Sequence, residues 1–438
     1  MPSFREAAVS PEASGPFPTA WAAAEVPPNR VLELARALGA DAWLELPSGE
    51  CWYGIGRAAE LNADDAPFAL VDQAEAALTQ LRAVSGPSDA TPAWLGGFAF
   101  DPARTGADAW AGFPAGRLVL PELQLHVRNG RAFALAIGRD DQVKSQLERA
   151  LATQNAKSDP RGSKTLAVEP EVPHSRWAEG VHGALRAIEA GGMRKAVLAR
   201  TVRAQLSSPL DALHFTGKLR ALFPDCVRFA SRSGDAWFIG ATPELLFARE
   251  GTQLRTMALA GTARRDADPN RDRQLGEALL ADPKERNEHA LVVEAIQAAL
   301  GPLCAEVKLD GPHLRHLRNV QHLETSIDAT LTRTTGTRAL LEKMHPTPAV
   351  CGTPRDAART LLRELEPFAR GWYAGPIGFV SHERSTFAVA LRCLLARSDV
   401  ATLFVGAGLV AGSDPDREWR ETDAKAQAML RALDTESP

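Results

Sequence analysis

Two acidic segments that lie far apart in the chain each carry a pair of glutamates three residues apart. These segments are Asp282-Pro-Lys-Glu-Arg-Asn-Glu-His289 and Ser413-Asp-Pro-Asp-Arg-Glu-Trp-Arg-Glu421. Both are typical of a helix start, and side chains three residues apart on a helix share one face. Four carboxylates from two helices could therefore converge on one cation. The alternative is that acidic residues near helix starts only complement the helix dipole.

The first acidic helix has an apolar continuation. Glu285 and Glu288 point the same way, and Val292 and Ile296 continue roughly that side of the helix. We therefore expect the two carboxylates near the edge of the helix that faces the core.

The second acidic helix has a capping residue and a proline at its start. Ser413 or Asp414 can cap it, and the proline that follows suits a first turn. Glu418, Glu421 and Lys425 then lie on one stripe, because they are spaced by three and four residues.

Composition restricts the size and the chemistry of the fold. The chain has 438 residues, of which 45% are apolar, and this allows one or two domains around a large buried core. Its formal net charge is -4 and it has no basic block, which argues against a nucleic-acid partner and favours small-molecule chemistry. We see no signal peptide and no stretch long enough to span a membrane, so we expect a cytoplasmic protein without membrane association.

Cysteine and histidine patterns give no sign of zinc. The five cysteines are scattered without a CxxC pair, which predicts reduced thiols rather than disulfides or a zinc site. His313, His316 and His322 are close in sequence, but their spacing matches no common zinc pattern.

Turn residues and periodicity divide the chain into three parts. Residues 1–151 predict mixed helix and strand, although we expect the first ~30 residues to be poorly ordered. Residues 152–174 are rich in Ser, Pro, Lys, Asp and Gly without periodicity, which predicts a flexible surface linker. Residues 175–438 contain both acidic helices and the strands described next.

Lys195 and Glu244 are ionisable residues in apolar surroundings. Lys195 begins the strand Lys195-Ala-Val-Leu-Ala-Arg-Thr-Val202, on a predominantly buried face. It is either a strand-end lysine whose amine reaches water or a functional group. Glu244 lies among apolar residues, where a carboxyl tends to keep its proton and can serve as a general acid. The alternative is an ion pair with a nearby arginine such as Arg249 or Arg255.

Glycines in two segments predict backbone sites for an anion. Gly261 would let a carboxylate approach backbone N–H groups, and Thr262 could donate its hydroxyl. The strand that ends in Gly406-Ala-Gly408 leads directly into the second acidic helix and could hold a second carboxylate. The segment 386–394 predicts another strand, which carries Arg392.

Taken together, these motifs resemble those of the chorismate-utilising enzymes, and among them most closely the isochorismate synthases. They are Lys195-Ala-Val-Leu-Ala-Arg200, Gly240-Ala-Thr-Pro-Glu244, Leu259-Ala-Gly-Thr262, Lys284-Glu-Arg-Asn-Glu-His289, His345-Pro-Thr-Pro-Ala349, Gly406-Ala-Gly-Leu-Val410 and Glu418-Trp-Arg-Glu421. The resemblance spans about Ser175 to Leu433 in the same order, and the first third matches only in Gly96-Gly-Phe-Ala-Phe-Asp-Pro102. It implies an α+β fold with a large two-sheet core, helices packed outside and residues 1–151 contributing to the common body.

The resemblance also implies a reaction. Residues 175–438 would form the chorismate-binding catalytic region, in which water adds at C2 of chorismate with loss of the C4 hydroxyl. Lys195 would be the base that activates water, and Glu244 the acid that protonates the leaving hydroxyl. The implied substrate contacts are Ala260, Gly261, Thr262, His322, Arg392, Gly406, Ala407, Gly408 and Lys425.

Magnesium is the cofactor that the resemblance implies. Glu288 and Glu421 would be its protein ligands, with Glu285 and Glu418 in supporting or water-mediated positions. Magnesium prefers oxygen ligands and keeps several waters, so two carboxylates and the substrate would suffice.

Two other functions remain open at this point. A salicylate synthase keeps the same lysine and adds pyruvate elimination, whereas anthranilate and aminodeoxychorismate synthases typically carry glutamine where Lys195 stands. A non-catalytic chorismate-binding relative would be expected to have lost Lys195, Glu244, Glu288 or Glu421, and none is lost. The product would feed menaquinone or siderophore biosynthesis. We expect a monomer.

Overall fold

A computed structural model describes residues 17–105, 108–153, 162–317 and 320–434. Two large β-sheets, one with 13 strands and one with nine, share a hydrophobic core, and α-helices pack around them. This architecture confirms the predicted α+β fold with a two-sheet core.

The larger sheet contains strands from both ends of the described chain. In spatial order its strands are β10 (Thr165–Pro170), β11 (Lys195–Leu206), β22 (Val400–Leu409), β21 (Cys393–Arg397), β13 (Ala236–Thr242), β12 (Val227–Ser233), β2 (Ala42–Glu45), β3 (Cys51–Ile55), β8 (Leu123–Arg128), β9 (Arg131–Gly138), β1 (Ala20–Val26) and β5 (Arg82–Ser85). The short strand β18 (Gly352–Thr353) also pairs with β11.

The smaller sheet is likewise built from distant segments, and its described strand pairs are antiparallel. In spatial order its strands are β16 (Cys304–His316), β17 (Val320–Leu331), β15 (Gln253–Arg264), β14 (Leu245–Glu250), β20 (Arg384–Val389), β19 (Pro376–Ser381), β6 (Ala93–Phe98), β7 (Gly116–Leu120) and β4 (Ala59–Ala63).

Ten α-helices and three short 3-10 helices lie in the described ranges. The α-helices are α1 (Val31–Ala37), α2 (Ala69–Gln80), α3 (Val143–Ala152), α4 (His174–Glu189), α5 (Ala212–Leu222), α6 (Pro269–Ala281), α7 (Pro283–Leu300), α8 (Thr337–Met344), α9 (Arg355–Leu365) and α10 (Pro415–Asp434). The 3-10 helices are Pro28–Arg30, Pro102–Arg104 and Asp108–Trp110.

Strand alternation gives the larger sheet two apolar faces. Neighbouring residues on a strand point to opposite faces, so Leu44 packs in the core shared with the smaller sheet and Trp43 in a second cluster. That second cluster also contains Leu34 of α1, Phe215 of α5 and Met429 of α10. The larger sheet therefore lies between the smaller sheet and a layer of helices, and its strands are largely buried.

The chain passes between the two sheets at two points that matter for function. Pro243 and Glu244 connect β13 of the larger sheet to β14 of the smaller one. Residues 390–392 connect β20 of the smaller sheet to β21 of the larger one. The amide of Ala241 donates to the carbonyl of Arg392 over 3.1 Å, so the two passages lie side by side.

Three predictions from the sequence need correction. The expected disorder of the first ~30 residues does not extend to Ala20–Val26, which pairs with β9, while residues 1–16 lie outside the described ranges. The predicted linker contains the edge strand Thr165–Pro170, because its backbone finds ladder partners in β11, and residues 154–161 are outside the described ranges. Arg392 lies between two strands rather than on one, and its φ of 45° does not fit an extended strand.

In the described part of the chain, no helix is long and apolar enough to cross a membrane. All five cysteines are free thiols, of which Cys226, Cys351 and Cys393 are buried.

Candidate active site

Most of the site residues that the sequence predicted line one cavity. Its volume is about 150 Å³, and it lies where the start of β11, the end of β22, the two passages between the sheets and the acidic helices meet. The predicted residues in its wall are Lys195, Glu244, Ala260, Gly261, Thr262, Glu288, His322, Arg392, Gly406, Gly408, Glu421 and Lys425.

Three predicted residues do not line this cavity. Ala407 is fully buried in the hydrophobic core, because alternation along β22 turns its side chain away from the face that Gly406 and Gly408 present. Glu285 and Glu418 precede Glu288 and Glu421 by three residues, about one turn closer to the start of each helix. The side chain of Ala407 therefore faces away from the cavity, and the contact of its backbone with a substrate stays a prediction.

Lys195 is buried and paired. Only 1% of its surface is exposed, and its Nζ donates to Oε1 of Glu288 over 2.8 Å. The alternative of an amine that reaches water is therefore excluded. A Cβ on Gly408 would lie 2.9 Å from Oε1 of Glu288 and 3.3 Å from Cε of Lys195, so only glycine leaves room for this ion pair.

Glu244 is buried without an ion-pair partner among the described residues. Burial raises the pKa of its carboxyl to about 7, although the hydroxyl of Thr347 and the charge of Lys195 oppose this rise. Oγ1 of Thr347 donates to Oε1 of Glu244 over 3.1 Å. Neither Arg249 nor Arg255 pairs with it, so the alternative of a simple ion pair is excluded. The group can hold or release a proton near neutral pH.

His322 is a neutral histidine that connects three wall residues. Burial lowers its pKa to about 3, and the positive charge of Arg392 adds to this effect. Nη2 of Arg392 lies 3.4 Å from its Nε2, so Nε2 accepts and the ring proton is on Nδ1. Nδ1 lies 3.2 Å from the carbonyl oxygen of Gly261 and 3.0 Å from Oγ1 of Thr262.

Arg392 supplies a positive charge without a carboxylate partner in the described structure. Burial lowers the pKa of its guanidinium, and the nearby Arg315 adds to this effect. Its Nη1 lies 3.9 Å from Sγ of Cys226, and its guanidinium lies 5.8 Å from the ring centre of Phe223. A buried cation of this kind favours an anionic ligand.

The first acidic helix starts as the sequence predicted. Asp282 caps α7, and Val292 and Ile296 are buried. Glu285 lies beside Glu288: burial raises the pKa of Glu285, and the negative charge of Glu288 raises it further. The amide of Thr262 donates to Oε2 of Glu285 over 3.3 Å.

The second acidic helix repeats this arrangement. The carboxyl of Asp414 accepts from the amide of Arg417, as expected of a cap. Burial raises the pKa of Glu418, and the charge of Glu421 adds to the rise. Lys425 lowers the pKa of Glu421 and donates both to its Oε1 over 2.7 Å and to the carbonyl oxygen of Gly406 over 2.8 Å.

The four glutamates are suited to bind a divalent cation, although their side chains do not form a complete coordination site as they stand. Within the described ranges, no three carboxylate, histidine or cysteine side chains lie close enough to hold a metal ion as they stand. Glu288 and Glu421 instead pair with Lys195 and Lys425. Like charges crowd in each glutamate pair, and carboxylate oxygens are the ligands that magnesium prefers. The donor set therefore fits magnesium.

Arg200 connects β11 to the second acidic helix, a role that the sequence pattern did not predict. It is fully buried, its Nε donates to Oγ1 of Thr422 over 2.8 Å, and its guanidinium also pairs with Asp423. The same guanidinium stacks 3.7 Å from the ring centre of Trp419. These contacts orient α10 so that Glu421 faces the cavity.

Thr347 and Tyr373 are further site residues that the sequence analysis missed. Tyr373 lines the cavity and stacks on Phe404 with ring centres 5.4 Å apart. Both residues belong to segments rich in proline and glycine, which predict turns but do not show what a turn faces. For Thr347 the signal was its position inside the motif His345-Pro-Thr-Pro-Ala349.

This two-sheet fold with a buried lysine, a buried carboxyl and two acidic helices defines a class of proteins that bind chorismate. The family model described as chorismate binding enzyme matches residues 18–434. The chain belongs to this family, as the sequence predicted.

Relatives and solved structures agree with this assignment. The chain is 36% identical over 396 residues to a salicylate biosynthesis isochorismate synthase of Pseudomonas aeruginosa, which covers 87% of this chain and 82% of the relative. It is 34% identical over 378 residues to isochorismate synthase MenF of Escherichia coli, which covers 84% and 83%.

The structure of Escherichia coli MenF, a menaquinone-specific isochorismate synthase, matches with a TM-score of 0.81 and 30% identity over 96% of each chain. Anthranilate synthase component I of Streptococcus pneumoniae matches with a TM-score of 0.72 and 20% identity over 90% of this chain and 91% of that one, which shows the shared fold.

Proposed function

We propose that this protein is an isochorismate synthase, an isomerase that converts chorismate to isochorismate with magnesium as cofactor. The observation that carries the proposal is the presence of Lys195 and Glu244 in the wall of one cavity, together with Glu288 and Glu421. Water adds at C2 of the ring, the double bond shifts, and the C4 hydroxyl leaves as water. Substrate and product are therefore isomers.

Glu244 acts as the general acid. Its pKa of about 7 means that a large fraction of the carboxyl is protonated at neutral pH. It gives this proton to the C4 hydroxyl as the carbon–oxygen bond breaks, so that water rather than hydroxide leaves. The hydroxyl of Thr347 fixes the orientation of the carboxyl through its hydrogen bond.

Lys195 acts as the general base. It accepts a proton from the water that attacks C2, which requires the neutral amine. In the structure its ammonium donates to Glu288, so the lysine can act as a base only when Glu288 has another partner. Glu288 is also a proposed metal ligand, and the two functions are therefore coupled through one carboxylate.

The remaining wall residues bind and orient the substrate, which carries two carboxylates. The guanidinium of Arg392 has no carboxylate partner in the described structure. It contacts His322, which in turn contacts Thr262, and these contacts orient the guanidinium. Glu288 and Glu421 would hold magnesium, with Glu285 and Glu418 about one turn earlier in their helices. When bound, the ion would neutralise a substrate carboxylate that these glutamates alone would repel.

The relative from Pseudomonas aeruginosa is named for salicylate biosynthesis and that from Escherichia coli for menaquinone. The use of the product therefore depends on the enzyme that consumes it. We also propose that the monomer is the active form, which light scattering of the active protein can check.

One incubation tests the proposed function. Purified protein is mixed with chorismate and magnesium, and the products are separated by chromatography, with a chelator in the control. Isochorismate without pyruvate supports the proposal, and salicylate with pyruvate selects the salicylate synthase alternative. Unchanged chorismate at every pH would rule out the enzyme assignment and leave a binding protein.

A further inference from the structure

A second, larger cavity lies immediately outside the site. Its volume is about 730 Å³, against about 150 Å³ for the inner cavity. The wall residues that the two cavities share are Thr262, His322, Arg392, Glu421 and Lys425. Because they share these wall residues, the outer and the inner cavity adjoin each other.

The outer wall is rich in positive charge. Among the residues that the structure describes, it contains four arginines and one lysine against two acidic residues. Arg265 pairs with Asp272 over 2.6 Å, and Lys425 pairs with Glu421 over 2.7 Å. Arg264 is different, because its guanidinium is exposed and has no ion pair or hydrogen bond in the described part of the chain.

Strand geometry fixes where Arg264 lies. Thr262 and Arg264 are two residues apart on β15, so their side chains leave the strand on the same face. Thr262 belongs to the wall of both cavities, whereas Arg264 belongs only to the outer one. The side chains of Arg264, Thr262 and Arg392 therefore mark a path from solvent inward.

Apolar residues complete the outer wall. Phe223 and Leu317 are buried there, and Val320 and Ala428 are partly exposed. A surface that combines guanidinium groups with apolar side chains fits an organic anion with a carbon ring better than an inorganic ion.

We infer that the outer cavity is a staging site for a cyclic dicarboxylate, at which Arg264 captures the anion before it reaches Arg392. This inference rests on the proposed function, since chorismate is such a dianion. A cleft lined by one sign of charge raises the local concentration of a ligand of the opposite sign and speeds its association. Arg264 is therefore a residue of substrate capture, separate from those that carry out the reaction.

Substitution of Arg264 tests the staging site. We expect Arg264→Ala to lower kcat/KM for chorismate about fivefold at low salt, the size of one contact between charges in water, while kcat is retained. Arg264→Glu should lower it further and Arg264→Lys much less. The differences should shrink as salt rises, because mobile ions screen exposed charges.

Arg273→Ala is the matched control. Arg273 is an exposed arginine on α6 that lines neither cavity, and its ion pair with Glu277 is long at 3.8 Å. The substitution Arg273→Ala removes the same charge as Arg264→Ala, but at a position outside both cavities. Wild-type kcat/KM in Arg264→Ala at low salt, or an equal loss in Arg273→Ala, would overturn the staging site.

Calorimetry measures the binding of chorismate independently of its turnover. This measurement therefore separates the inference from the proposed function. If the wild type binds chorismate but does not convert it, the proposed function fails, and weaker binding by Arg264→Ala still supports the staging site. If the wild type does not bind chorismate, both are wrong.

Discussion

Nζ of Lys195 lies 2.8 Å from Oε1 of Glu288, and the two residues are 93 positions apart in the chain. A single contact thus joins the proposed base on β11 to a proposed metal ligand on α7. Neither residue can change its partner without affecting the other.

Lys195→Ala should abolish the addition of water. A general acid or base contributes about two to four orders of magnitude, so we expect a loss of that size in kcat. Chorismate affinity should stay within several-fold, because the amine is not needed to hold the carboxylates. Steady-state kinetics with calorimetric binding check both points, and retained turnover would show that another group is the base.

Glu244→Gln should remove activity and also change how stability depends on pH. The rise of the Glu244 pKa from its ordinary 4.5 to about 7 corresponds to about 3 kcal/mol. The folded state holds this proton more tightly than the unfolded state does, so the group costs nothing below pH 4.5 and its full cost is present above about pH 7.

The wild type should therefore lose stability, relative to Glu244→Gln, as the pH rises between these two values. Denaturant unfolding of both proteins at pH 5 and pH 8 measures the difference, which should approach about 3 kcal/mol. Parallel pH profiles for the two proteins would mean that Glu244 has an ordinary pKa in the folded state.

Thr347→Val should raise the pKa of Glu244 beyond its value in the wild type. The threonine hydroxyl donates to the carboxylate and stabilises its charged form, and valine cannot donate. Infrared spectroscopy follows the protonated carboxyl during a pH titration, and Glu244→Gln identifies the band by its loss. Thr347→Ser should restore the wild-type titration. An unchanged titration in Thr347→Val would show that the hydrogen bond does not control Glu244.

Glu288→Gln and Glu421→Gln should each weaken magnesium binding, because each removes a full charge from a site for a cation. We expect activity to fall at limiting magnesium and to recover partly in excess. Calorimetric titration of magnesium in the presence of chorismate gives a reading independent of turnover. Glu277→Gln, at an exposed position on α6, is the control. Wild-type activity of either variant at limiting magnesium would contradict the proposed site.

Gly408→Ala should displace Glu288 from Lys195. The added Cβ would lie 2.9 Å from Oε1 of Glu288, closer than real contacts allow, so the carboxylate must move. We expect a large loss of activity with little loss of stability, since the clash is with the end of a flexible side chain. Gly217→Ala is the matched control, because its new Cβ meets nothing within 4 Å. A fully active Gly408→Ala enzyme would show that this ion pair has no role.

The sequence predicted the parts of the site that depend on local pattern. Both acidic helices begin at their prolines, and the buried start of β11 follows from apolar residues on both faces. The strand predicted around Arg392 was wrong because a passage between two sheets can be as apolar as a strand. Hydrophobic periodicity indicates which residues are buried, but it does not indicate to which sheet a residue belongs.

Pairings between distant residues could not be predicted. The partners of Lys195 and Glu244 are 93 and 103 positions away, and local spacing carries no information at such separations. The edge strand β10 was missed because its residues are mostly exposed and show no alternation. Its pairing with β11 exists only once the larger sheet has formed.

The position of β22 in the larger sheet also determines when the site can form during synthesis. This strand comes after all other described strands in the chain, yet it lies inside the sheet, between β11 and β21. A nascent chain on the ribosome therefore holds Lys195 beside an open gap until β22 and α10 have emerged. Because those two elements bring Gly408 and Glu421, the cavity is complete only after both have been translated, and a chain that stops before them lacks part of its wall.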